Sequence, residues 1–115
     1  MSNSAEPIMQ IDARRFAPAD VAFALAWEVH APGLGGWSVM MDEDDDGSEY
    51  LLVDPPLVYG AGFMVRPFGA AAEITWEQGT LVVPNLREAM LRICPLSPDA
   101  LAAVEQLAEA PTLPL

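Results

Sequence analysis

The chain predicts an α+β fold: an antiparallel sheet of four or five strands with two C-terminal helices packed on one face. Three observations lead there. The middle of the sequence is a series of short apolar runs separated by turn residues. The C-terminal third carries two helix-start signals, each followed by helical spacing of apolar residues. The 115 residues, 52% of them hydrophobic, supply one core without the length for two ordinary domains. The domain is placed at residues 11–110, with a flexible arm over 1–10 and a flexible tail over 111–115.

Residues 18–30 carry two signals. Val21, Phe23, Leu25, Trp27 and Val29 alternate with smaller residues, as in a strand. Pro18 and Asp20 suit a first helical turn, the alanines favour helix, and Pro32-Gly33 would stop one. A buried N-terminal helix is the preferred reading. Trp37–Met41 and Tyr50–Val53 read as two strands on either side of an acidic loop. Leu57–Val65 reads as a third strand, interrupted by Gly60 and Gly62, where a bulge or close backbone approach is expected. Glu73–Glu77 alternates, with Ile74 and Trp76 toward the core, and Gln78-Gly79 turns the chain into Leu81–Val83.

Asn85 and Glu88 have the spacing of a capping box, and Leu86, Ala89, Met90 and Ile93 then share a face. Pro95 ends that helix. Ser97 caps the next, Pro98 takes its first position, and Leu96 and Leu101 are spaced as a hydrophobic staple. Leu101, Val104, Leu107 and Ala108 form the expected buried stripe.

Charge narrows the function classes. Seventeen carboxylates oppose five arginines, lysine is absent, and the formal net charge is −12. Nucleic acid and anionic membrane surfaces repel such a chain. The second C-terminal helix holds Asp99, Glu105 and Glu109 without a basic residue, which argues against a helix-turn-helix reader. Without lysine there is no Schiff base and no P-loop lysine. One cysteine, Cys94, allows neither an internal disulfide nor a thiolate metal cage. Residues 1–10 lack the pattern of a secretory signal, and no apolar run is long enough to cross a bilayer, so the expected compartment is the cytoplasm.

The sharpest local feature is Asp42-Glu43-Asp44-Asp45-Asp46-Gly47-Ser48-Glu49. Asp42, Asp44, Asp46 and Gly47 match positions 1, 3, 5 and 6 of a calcium loop, but Val53 stands where the bidentate glutamate belongs. The candidate Ca²⁺ ligands are Asp42, Asp44, Asp46 and the Ser48 carbonyl. The competing reading is a solvated, mobile loop tip. Glu43, Asp45 and Glu49 are the candidate partner-binding carboxylates. His30 and Cys94 are the sole histidine and cysteine, and nothing in the spacing assembles them into a catalytic pair. No catalytic residue and no cofactor is assigned.

The expected function is a non-enzymatic, acidic protein-interaction module, self-associating and able to hold a basic protein partner. A bacterial adaptor or an immunity-type inhibitor of a basic toxin fits that class. The alternative is a small-ligand or Ca²⁺-binding protein using the 42–49 loop or a tryptophan-lined pocket formed by Trp27, Trp37 or Trp76.

Overall fold

A computed structural model describes residues 14–30, 36–56 and 61–109. The expected arm at 1–10, the tail at 111–115, the Pro32-Gly33 stop and Gly60 lie outside the described residues. Eight elements follow in order. Helix α1 is Pro18–His30; strands β1 to β5 are Ser38–Glu43, Glu49–Asp54, Phe63–Phe68, Ala71–Trp76 and Gly79–Val83; α2 is Leu86–Ile93 and α3 is Pro98–Glu109. The five strands form one antiparallel meander in the order β1-β2-β3-β4-β5.

Helix wins over strand at 18–30. The residues that α1 buries are Phe23, Ala24, Ala26 and Trp27, a helical i, i+1, i+3, i+4 set. The strand-like alternation is broken by Leu25 and by Val29, which is 68% exposed. Trp27 is fully buried, its indole N–H donating to the Cys94 carbonyl at 3.2 Å. Trp37 packs edge-on against it, with ring centroids 5.1 Å apart. Glu28 ties the helix to the sheet: its Oε2 accepts the Val39 N–H at 2.7 Å.

Of the third strand expected at 57–65, residues 57–60 lie outside the described residues, and the strand runs on past Val65. It begins at Phe63 and continues through Arg66, Pro67 and Phe68. Pro67 lies beyond the last β2–β3 pair, Leu51↔Val65, and is paired on one side alone, with Ala72 of β4. The expected close approach is present at Gly62. A Cβ there would stand 2.7 Å from the Val53 carbonyl oxygen and 2.0 Å from Asp54 Oδ1. The β4–β5 turn is Glu77-Gln78, one residue earlier than expected, and Gly79 opens β5.

Both C-terminal caps form. Asn85 Oδ1 accepts the Glu88 N–H at 2.8 Å, and Ser97 Oγ accepts the Ala100 N–H at 3.2 Å. The reciprocal half of the capping box is replaced, because Glu88 Oε2 accepts from Arg87 instead. Leu86, Ala89 and Met90 are buried by α2 as expected. In α3 only Val104 is buried, and Leu107 is 47% exposed. The stripe is narrower than expected because α3 packs on α1, whereas α2 lies on β3, β4 and β5.

The buried hydrophobics of all three helices and of the sheet form one cluster. Its strand members are Leu51, Val53, Val65, Ala72, Ile74 and Val83. Strand side chains alternate between faces, and the register aligns these residues on one side. The helices therefore cover a single face of the sheet.

Candidate functional site

The acidic stretch is the β1–β2 hairpin loop. Its connection closes through Gly47 N–H to the Asp44 carbonyl (2.9 Å) and Asp44 N–H to the Ser48 carbonyl (2.8 Å). Gly47 has φ +87°, the left-handed conformation that this compact loop needs. Asp46 Oδ1 accepts the Ser48 N–H at 2.9 Å. That bond, the Ser48 side chain and the Arg14 guanidinium hold the Asp46 carboxyl below its ordinary value.

Three arginines fasten this hairpin. Arg14 donates to the Asp46 carbonyl at 2.9 Å, and Arg66 to Asp44 Oδ2 at 2.7 Å. Arg15 lies 3.0 Å from Glu49 Oε2 and 3.6 Å from Glu43 Oε2. These contacts tie the hairpin to segment 14–16 and to β3. Glu49 is committed within the chain: it sits on the core side of β2, 9% exposed, and Oε1 accepts the Phe16 N–H at 2.9 Å. Its own N–H donates to the Arg14 carbonyl at 2.7 Å. Segment 14–16 is thereby laid against the start of β2. Glu43 and Asp45 stay at the surface.

The four candidate Ca²⁺ ligands are near in sequence but differently engaged. Asp42 Oδ1 accepts the Glu43 N–H, Asp44 pairs with Arg66, and the Ser48 carbonyl closes the loop. Among the described residues, no three His, Cys, Asp or Glu side chains are gathered as a metal-binding group. No hydrogen bond joins His30 to Cys94, and burial pushes the Cys94 thiol up, away from the reactive thiolate.

Two further features stand out, and of these only a tryptophan-lined pocket was expected. The first is the helix-free face of the sheet. Met40, Leu52 and Met64 are successive neighbours across β1, β2 and β3 on that face. Phe68 (58% exposed) and Val82 lie on it too, as does Tyr50 with the Arg66 guanidinium 5.3 Å above its ring. Asp42, Asp54 and Glu73 occupy the neighbouring positions on this side. The period-2 pattern of each strand could have revealed the face, but only with the correct register.

The second feature is a cavity of about 330 Å³ between α2 and β3–β5, on the helix side. Phe63, Ile74, Trp76, Leu81, Arg92 and Ile93 line it. Of the three tryptophans, Trp76 lines this cavity, whereas Trp27 fills the core and Trp37 packs against it.

No protein-family model matches the chain, and neither a curated protein nor a solved structure resembles it. Among the described residues, no helix is long and apolar enough to cross a membrane.

Proposed function

We propose that this chain is a non-enzymatic protein-interaction module that docks a basic protein on the helix-free face of its sheet. One observation carries the reading: an apolar row, with Met40 exposed and Leu52 and Met64 half-buried, lies on the sheet face opposite the one against which the helices pack. Contiguous apolar surface of this kind is characteristic of a docking site. Asp42, Asp54 and Glu73 flank the row and add to a net charge of −12. An apolar centre with an acidic margin complements an apolar patch ringed by Lys and Arg. Glu43 and Asp45, exposed on the adjoining hairpin, extend that margin. The setting that suits this reading is the cytoplasm, where a lone thiol such as Cys94 stays reduced.

A second copy of the chain is the other occupant of the same face, through a two-fold self-complementary contact. Salt separates the two. A basic partner is attracted through the acidic margin, so binding weakens between about 0.1 M and about 1 M salt. Two acidic copies repel each other, so self-association strengthens over the same range. Capture on the immobilised chain and light scattering at both salt levels measure these signs. A strict monomer with no salt-sensitive partner contradicts the proposal.

The alternative is a small-ligand or Ca²⁺-binding protein. Its Ca²⁺ form requires Asp42, Asp44, Asp46 and the Ser48 carbonyl to turn onto one cation, which would cost the Asp44–Arg66 pair and the Asp44–Ser48 bond. Calorimetry with millimolar CaCl₂ and no heat removes that form.

A further inference from the structure

Arg92 stands apart from the other arginines. Arg14 and Arg15 serve the acidic hairpin, Arg66 pairs with Asp44, and Arg87 pairs with Glu88 and Glu105. Arg92 makes no ion pair and no hydrogen bond with any described residue. In a chain with 17 carboxylates and five arginines, that is the exception. Glu88 stands four residues earlier on α2, the spacing that ordinarily yields a helix ion pair, yet its Oε2 is taken by Arg87. The negative end of the helix dipole explains why a cation is tolerated in the last turn of α2. It does not explain the cavity beside it.

Of the described residues that line this cavity, Arg92 is charged and the other five are apolar. No carboxylate is among them. The Phe63 and Trp76 rings stand 6.4 Å apart at 45°, and Ile74, almost fully buried, is among the lining residues. The Trp76 N–H is already taken by Gln78 Oε1 at 3.2 Å, so the indole offers its ring to the cavity and not an unsatisfied donor. The volume, about 330 Å³, lies at the small end of the range for small-molecule sites.

We infer that this cavity binds a small monocarboxylate with an apolar tail. The carboxylate meets the Arg92 guanidinium, whose planar fork matches two carboxylate oxygens. The tail lies against Phe63, Trp76 and Leu81. A second negative charge on the tail would have to leave water against apolar walls without a partner, which disfavours dicarboxylates. A cationic head would face Arg92. The site lies on the helix side of the sheet, so it is independent of the docking face proposed above.

The test uses the full chain, labelled with ¹⁵N, titrated with sodium octanoate and separately with octan-1-ol. The Trp76 indole N–H resonance, assigned through Trp76→Phe, reports the site. Octanoate should shift it saturably at millimolar concentration, while the Trp27 resonance holds still. Octan-1-ol, with the same tail and no charge, should bind about tenfold more weakly or worse, the loss expected for a charge-assisted pair. Arg92→Gln, a change at an exposed position, should weaken octanoate by a similar factor and leave octan-1-ol unchanged. Absence of a Trp76 shift, equal affinity for acid and alcohol, or undiminished octanoate binding by Arg92→Gln would each overturn the inference. The wild-type acid–alcohol comparison decides the matter even if the variant does not fold.

Discussion

Glu49 shows how much one side chain can organise. It accepts from Arg15 and from the Phe16 N–H while nearly buried, and so holds the segment before α1 against β2. Glu49→Ala would leave the Phe16 N–H without its acceptor. Arg15 is half exposed, so its share is discounted for solvent. Denaturant unfolding should show a loss of about 1–3 kcal/mol. An unchanged midpoint would deny the clamp. Asp46 provides a pH test. Its carboxyl is held low first by the Ser48 N–H, then by the Ser48 hydroxyl, with Arg14 adding to both. A lowered folded-state pKa stabilises the fold above the unfolded value, and that contribution fades as pH falls through the folded one. Carboxyl NMR titration should therefore place Asp46 below the ordinary aspartate range. None of these roles could be read from the sequence. Arg15 and Glu49 are 34 positions apart, and Arg66 and Asp44 are 22 apart, so only the folded register brings them together. The eight-residue acidic stretch was visible; the arginines that tie it down were not.

Individual elements were legible where local chemistry decides them. The Asn85 and Ser97 caps, the Pro95 break and the Ile74 face depend on near neighbours, and each is present. The strand-like alternation over α1 does not carry through, because alanine at 24 and 26 is buried as deeply as Phe23 and Trp27. Small residues carry little weight in a hydrophobic pattern, yet they let the helix lie close. The extension of β3 past Val65 has another cause. Pairing with β4, through Met64↔Thr75 to Phe68↔Ala71, sets its extent, and it carries a proline into the strand that local propensity would have excluded. Gly62 marks the true start of this strand. Gly62→Ala would push a methyl into the Val53 carbonyl, which cannot swing aside as Asp54 can. A loss of about 1–3 kcal/mol is expected in denaturant unfolding, whereas wild-type stability would refute the close approach.

At the scale of the whole molecule, the asymmetry of the two sheet faces matters most. Helices α1 and α2 pack on one face, with α3 against α1, and Phe23, Trp27, Leu86, Met90 and Val104 join the core there. The other keeps Met40, Leu52 and Met64 in a row beside acidic neighbours. Composition alone announced surplus apolar residues and a charge of −12, but not that both would meet on one surface. The position of Arg92, without an ion pair among the described residues, was likewise hidden, since it stands out only after the other four arginines have found partners. The most direct measurement of the docking proposal compares Met64→Arg with Ala102→Arg on the exposed side of α3, each captured against the same cell extract at about 0.1 M salt. Both variants should melt as the wild type does. Met64→Arg, which sets a cation in the apolar row, should lose the basic partner that the wild type and Ala102→Arg retain. Equal recovery by the two variants, or a partner that is not basic, would contradict the account.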